Sequence, residues 1–208
     1  MERVWPVWMA TVTAAEMAGF AVPATAGALT VDAPAAVAVP ALLAAGAVEG
    51  AVLGWGQSLV LRRIRTDLPV RRWIAVTAAA AVTAYAIALL APTFATVWTG
   101  WPPGLVIPMA VLLGLALLNT IGVAQWTVLR HLVPAAERWI TYNALAWLAG
   151  LTVFVAFSTP LWHPGQAVGA VIAVGVAGGL LMAATMAAVT GVPVHRWSRA
   201  GVLGTVRR

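Results

Sequence analysis

Long apolar segments alternate with short connections along the whole chain. A helix that crosses a bilayer needs about 20 consecutive, mostly apolar residues. The segments that meet this requirement are 5–30, 35–61, 73–95, 105–129, 139–162 and 167–192. The pattern therefore predicts an all-α, polytopic integral membrane protein whose six transmembrane helices form a single domain over residues 1–208.

The connections between these segments are of two chemical kinds. Those at 31–34, 96–104 and 163–166 contain Pro or Gly and carry no arginine, which is typical of turns between antiparallel helices. Those at 62–72 and 130–138 carry arginines. With six spans, the two arginine-bearing connections lie on the same side of the membrane.

The distribution of arginine predicts the orientation of the chain. All 12 basic residues are arginines. They lie in the two basic connections, at Arg3, and in a short basic tail at 193–208 that holds Arg196, Arg199, Arg207 and Arg208. Short loops rich in arginine stay in the cytoplasm during insertion, so both termini are expected inside.

Composition supports a membrane environment and limits the range of functions. The 208 residues are 62% hydrophobic and 9% charged, whereas a soluble domain carries roughly 25% charged residues. The net charge of +6 follows from the predicted topology, so we expect contact with anionic lipid headgroups and no nucleic-acid partner. Because the chain has no cysteine, we expect no disulfide and no cysteine-based metal site.

One motif occurs twice, at the ends of the second and fourth predicted spans. "QSLVLRR" begins at Gln57 and "QWTVLRH" begins at Gln125, 68 residues later. Related Arg-Trp pairs recur along the chain with a period of roughly one helical hairpin. This repetition predicts three tandem hairpins in the same orientation, at approximately 1–67, 68–134 and 135–200. The third is degenerate, because it lacks the glutamine and the "VLR".

Small residues precede each glutamine at helical spacing. Gly46, Gly50 and Gly54 lie on one stripe with Gln57, and Gly114 and Gly122 are their counterparts before Gln125. In lipid, such stripes let helix backbones approach closely, and polar side chains form bonds between helices. We expect helix packing and polar contacts from these residues, with a ligand role for the glutamines as the alternative.

The tryptophans near the predicted membrane boundaries are interpreted as interface anchors. The inner belt is Trp5, Trp73, Trp126, Trp139 and Trp197, and the outer belt is Trp98, Trp101 and Trp162. An interface anchor keeps its ring in the headgroup layer, so these side chains are expected at the lipid-facing surface.

The repeated motif resembles a group of uncharacterised bacterial multi-pass membrane proteins built from GxxQWxVLR-type helical hairpins. Residues 122–130, "GVAQWTVLR", follow that pattern, whereas "GWGQSLVLR" at 54–62 has Ser58 in place of the tryptophan. The resemblance covers about two-thirds of the chain. It implies a location in the bacterial inner (plasma) membrane and carries no activity or site residue.

Two acidic residues lie far from the predicted membrane boundaries. Counting helical rise places Glu16 about 16 Å from the boundary at Trp5 and Glu49 about 20 Å from Arg62, so both are near the midplane. Tyr85 and Asn119 lie at comparable depth. Ionisable groups at this depth are candidates for a functional site. We expect the two carboxyls to face the bundle interior, and at least one to be protonated; a purely structural role is the alternative for each residue.

No catalytic signature is present. The chain has no H-E-x-x-H, G-x-S-x-G, P-loop or Rossmann fingerprint, so we expect neither an enzyme nor a cofactor. Two functions fit the pattern. One is a small-solute or proton-linked transporter, or a ligand-binding bundle, that uses the midplane carboxyls. The other is a non-enzymatic scaffold or accessory subunit that packs against partner membrane proteins, lipids or a second copy.

Overall fold

The computed structural model describes the backbone of residues 4–205 and the side chains of residues 4–199, so Arg3, Arg207 and Arg208 lie outside the described part. All the regular elements within residues 4–205 are helical. Within the described residues, six helices are long and apolar enough to cross a membrane. They are α1 (Val4–Leu29), α2 (Ala35–Ile64), α3 (Val70–Thr93), α4 (Pro103–Leu129), α5 (Arg138–Ser158) and α6 (Val168–Thr205).

The predicted spans match these helices to within a few residues, except at the end of the chain. Residues 193–208 were expected to form a separate basic tail, but α6 continues without interruption through Pro193 to Thr205. A proline removes one helical hydrogen bond. Here the continuation is held by packing, because Val194 and Trp197 are buried in the core.

The helices pack in chain order and form a ring. Each helix packs on the next one along the chain, and α6 packs on α1. The beginnings of α1, α3 and α5 meet the last turns of α2, α4 and α6 in one hydrophobic cluster. Neighbouring helices are therefore antiparallel, and the described arginines all lie at this end of the ring, which we call the arginine end.

Four tryptophans form the centre of the arginine end. Trp139 lies between Trp8, Trp73 and Trp197, with ring centroids 6.2, 6.3 and 5.6 Å away. The side chains of Trp8, Trp73 and Trp139 are fully buried, and Trp197 is nearly so. The interpretation as interface anchors is therefore wrong for Trp73, Trp139 and Trp197, because their rings fill the protein interior.

The glycine stripe of α2 lies against α3. A methyl group on Gly50 would come within 2.6–2.8 Å of Ala81 and of the α3 backbone at Thr77 and Ala78. Gly46 faces the ring of Tyr85, and Gly54 faces Ile74 and Thr77. Because Gly46, Gly50 and Gly54 carry no side chain, α2 and α3 can lie close together along this stripe.

In α4, only one of the two glycines that were expected to pack against another helix makes such a contact. Gly122 faces Ile140 and Asn143 of α5, as Gly54 faces Ile74 and Thr77 of α3. Gly114 differs from the expectation, because a methyl group there would have no neighbour within 4 Å. Gly114 therefore takes no part in close helix packing.

Candidate functional site

The two glutamines of the repeated motif meet inside the ring. Nε2 of Gln125 donates to Oε1 of Gln57 at 2.7 Å and to Oγ1 of Thr77 at 3.0 Å. Oε1 of Gln125 accepts a hydrogen bond from Nε1 of Trp139 at 2.8 Å. Gln57, Thr77, Gln125 and Trp139 are all buried. We call these four residues the glutamine network; it joins α2, α3, α4 and α5.

A second polar contact closes the ring between the first and last helices. Nε1 of Trp8 donates to Oγ1 of Thr190 at 3.1 Å, and the same hydroxyl donates to the carbonyl oxygen of Met186 at 2.8 Å. Gly191 lies against Trp5 and Trp8, where a methyl group would come within about 3 Å of either ring. The indole rings of Trp5 and Trp8 on α1 therefore pack directly against α6 at Gly191.

Next to the glutamine network lies a small enclosed cavity, which we call the central cavity. It is bounded by α1, α2, α5 and α6, and its polar lining consists of Glu16, Gln57, Asn143 and Thr190. About 10 Å³ is open to the centre of a water molecule, which is close to the space that one water needs. The remaining walls are apolar: Val12, Leu53, Ala146, Trp147, Ala183 and Met186.

Glu16 and Asn143 leave oxygen atoms unpartnered at this cavity. Glu16 is 1% exposed and Asn143 is 3% exposed. Neither carboxyl oxygen of Glu16, nor Oδ1 of Asn143, has a hydrogen-bond partner within the described residues. Buried polar groups without partners are uncommon because each one costs free energy. The central cavity therefore differs from the glutamine network, where Gln125 uses both ends of its amide.

Glu49 occupies a separate position between α1 and α3. Its Oε2 atom accepts a hydrogen bond from the hydroxyl of Tyr85 at 2.6 Å. Gly19, one turn after Glu16 on α1, lies against the backbone and Cγ of Glu49, where a methyl group would come within 3.1–3.3 Å. The two carboxyls thus lie on facing surfaces of α1 and α2, and each has its own surroundings.

The four predicted midplane residues do not all come together. Glu16, Glu49 and Tyr85 are neighbours, as described above. Asn119 is half-buried on α4, and its amide donates to the carbonyl oxygen of Leu115 in the same helix at 2.8 Å. It lines an open groove of about 510 Å³ between α3 and α4, together with alanines and threonines. Asn119 is therefore not part of the carboxyl site, because its side chain faces away from α1 and α2.

The sequence reading missed Asn143 and Thr190 as members of the site. Asn143 follows Trp139 by four residues, as Thr77 follows Trp73, so each pair lies on one face of its helix. That shared spacing was a usable signal for Asn143. Thr190 lies in the predicted third hairpin, which lacks the motif, so it could be found only from the fold.

Within residues 4–199, no group of three or more His, Asp or Glu side chains could hold a metal ion. Comparison of the chain with protein-family models, with curated proteins and with solved structures found no match. The chemistry of the site must therefore be inferred from its own residues.

Proposed function

We propose that the chain is a multi-pass protein of the bacterial inner (plasma) membrane with both termini in the cytoplasm. The position of the described arginines at one end of the ring supports this orientation, because short arginine-rich loops stay on the cytoplasmic side. The matching contacts of Gly54 and Gly122 support an origin from repeated hairpins. The surface outside the ring is apolar and suited to lipid contact.

The function that the site supports best is proton-linked transport or binding of a small solute. Its main support is the carboxyl group of Glu16, which is buried without a partner beside the central cavity. A carboxyl group at this depth costs free energy in any static arrangement. If the carboxyl of Glu16 binds and releases a proton or an ion, this function explains why a costly buried group is retained.

Glu49 and Tyr85 extend the site toward α3. The hydroxyl of Tyr85 donates to Glu49, so a proton carried by either carboxyl has a hydrogen-bonding group next to it. The central cavity has room for about one water molecule, so a larger solute requires the helices to separate. Proton transfer requires only rotation of side chains or entry of water.

The proposal is tested by the charge movement that accompanies proton binding inside a membrane. Purified protein in a solid-supported membrane is subjected to a rapid pH jump, and the transient current is recorded. We expect a current for the natural protein and its loss in Glu16→Gln, because glutamine keeps the shape of the neutral acid. Glu137→Gln, in a loop exposed to solvent, is the matched control and should keep the current.

Equal currents in the natural protein and in Glu16→Gln would contradict the proposal, as would the absence of any current. Glu49→Gln separates the two carboxyls: a reduced current assigns part of the charge movement to Glu49. The yield of folded protein is measured for each variant, so that loss of current is not confused with loss of protein.

A scaffold function is the second candidate, and the groove between α3 and α4 favours it. The groove has a volume of about 510 Å³ and is lined largely by alanines and threonines. These small side chains leave room for a helix of a partner protein or for a lipid chain. A scaffold predicts that a groove substitution such as Ala116→Leu abolishes co-purification of a partner, while Glu16→Gln has no effect. Transport predicts the reverse.

A further inference from the structure

The unpartnered atoms around the central cavity are all oxygens. They are Oε1 and Oε2 of Glu16, on α1, and Oδ1 of Asn143, on α5. Carboxylate and amide oxygens suit hard cations, whereas soft metal ions prefer sulfur and nitrogen. Both residues border the same small cavity. Oxygens from two helices therefore converge on a space of about one atom.

Two further oxygens border the cavity with spare capacity. Oε1 of Gln57 accepts one hydrogen bond from Gln125, and a carbonyl oxygen has two lone pairs. Oγ1 of Thr190 accepts one from Trp8 and donates one to Met186, which leaves a lone pair free. The glutamine network and the Trp8–Thr190 contact thus hold these oxygens in position.

Charge limits which cation fits. The central cavity has a single acidic group, Glu16, and its other polar groups are neutral. A monovalent cation beside an ionised Glu16 gives a neutral pair, whereas a divalent cation leaves a buried net charge that is costly. Size limits the choice further, because the cavity has room for about one water-sized particle, which admits a single dehydrated alkali-metal ion and excludes a larger organic cation such as choline.

We propose that Glu16 and Asn143 form a binding site for one small alkali-metal cation such as Na⁺, which competes with the proton for the carboxyl of Glu16. This inference deepens the proposed function and rests on it. Binding requires Glu16 to be ionised. The other titratable side chains at this depth on helices packed against α1 or α2 are Glu49 and Tyr85, and Oε2 of Glu49 is already bound to Tyr85.

The test is the cation dependence of thermal unfolding for the full chain in nanodiscs. NaCl, KCl and choline chloride are compared at equal ionic strength over a range of pH. We expect Na⁺ to raise the unfolding midpoint saturably, because a ligand that binds only the folded state stabilises it. The effect should grow as pH rises, since protons compete for Glu16.

Two variants assign the effect to the site. Glu16→Gln removes the charge, and Asn143→Leu removes the amide oxygen with little change in shape, so each should weaken Na⁺ binding by about tenfold or more. Asn119→Leu, which alters an amide facing the α3–α4 groove, is the matched control and should keep the full effect. A protonated-carboxyl infrared band that disappears in Glu16→Gln should also shrink when Na⁺ replaces choline.

Each other outcome has a defined meaning. Equal midpoints in Na⁺ and choline, with the pH-jump current still present, overturn the Na⁺ site and leave the proton as the only ion, so the proposed function stands. A Na⁺ effect that persists in both Glu16→Gln and Asn143→Leu also overturns the proposal, because the ion then binds elsewhere. Loss of both the current and the cation effect in the natural protein overturns the proposed function as well.

Discussion

The glutamine network and the central cavity adjoin each other inside the same ring, yet they differ in whether their buried polar atoms have hydrogen-bond partners. In the network, Gln125 donates to Gln57 and Thr77 and accepts from Trp139. At the cavity, Glu16 has two carboxyl oxygens without partners. Both regions are closed to solvent, so the difference lies in the chemistry of the side chains and not in their depth.

The contrast separates groups that hold the fold together from groups that remain available for a ligand. A satisfied polar network fixes the relative positions of helices, because breaking any bond leaves an unpaired group in an apolar interior. An unsatisfied carboxyl contributes no such bond and is retained at a cost. Substitutions in the two regions should therefore have opposite effects on stability and on activity.

The largest loss of stability is expected for Gln125→Leu. The substitution removes three hydrogen bonds and leaves the indole N–H of Trp139 and the amide oxygen of Gln57 without their partner. We expect the free energy of unfolding to fall by about 3 kcal/mol. Reversible unfolding in mixed detergent micelles measures it. Asn119→Leu, which alters an amide bonded only to its own helix, should change the value little; equal losses in the two variants would contradict the role of the network.

Gly50→Ala should have the next largest effect, since it separates α2 from α3 and disturbs both regions together. The added methyl group meets the α3 backbone, which cannot move without the whole helix, and overpacking of this kind costs about 2 kcal/mol. Gly114→Ala is the matched change on α4 and should be neutral or stabilising, because its methyl group has open space and alanine favours a helix. The same unfolding assay compares the two, and a Gly50→Ala protein as stable as Gly114→Ala would refute the close contact.

Glu16→Leu should leave stability within about 1 kcal/mol of the natural protein, or raise it, because no hydrogen bond is lost and a buried ionisable group is removed. The same variant should lose the pH-jump current completely. This pairing is the sharpest test of the contrast with Gln125→Leu. A loss of stability as large as that of Gln125→Leu would show that Glu16 has a structural partner.

The smallest effect is expected outside both regions, at Asp67 in the 62–72 connection. The Arg65 guanidinium binds the exposed Asp67 carboxylate and holds its pKa below the usual aspartate range. A lowered pKa means that the carboxylate stabilises the fold above the ordinary aspartate pKa and that this contribution is lost as pH falls through the lowered value. Asp67→Asn should thus be slightly less stable than the natural protein at neutral pH and should unfold like it in acid, as thermal unfolding at several pH values would reveal.

The helices could be predicted from the sequence because lipid allows few alternatives. Backbone polar groups in a bilayer must be satisfied within the segment, so a long apolar run such as 105–129 has few other structures open to it. The same regular rise placed Glu16 and Glu49 near the middle of their helices, α1 and α2. The close contact at Gly50 followed from the spacing of small residues on one face.

Other features depended on which helices become neighbours, and a periodic pattern does not give that. Trp73 and Trp139 have the sequence context of interface anchors, but the ring turns them inward. Asn119 and Asn143 are both single amides in apolar helices; only the packing of α4 and α5 decides that the second lies beside Glu16. Gly114 matches Gly46 in the alignment, yet α4 has no neighbour at that position.

The closure of the ring by α6 has a consequence for how the protein is made. Trp8 and Thr190 are 182 residues apart in sequence, so the α1–α6 contact forms only after the last helix has entered the membrane. Until then α1 and α2 can pair as a hairpin, but the wall that α5 and α6 place around Glu16 does not exist. A chain that stalls during synthesis would leave the carboxyl of Glu16 without the wall that encloses it in the complete ring. Packing of α6 against α1 therefore encloses Glu16 only at the last step of synthesis. The central cavity exists only in chains that have been synthesised through α6.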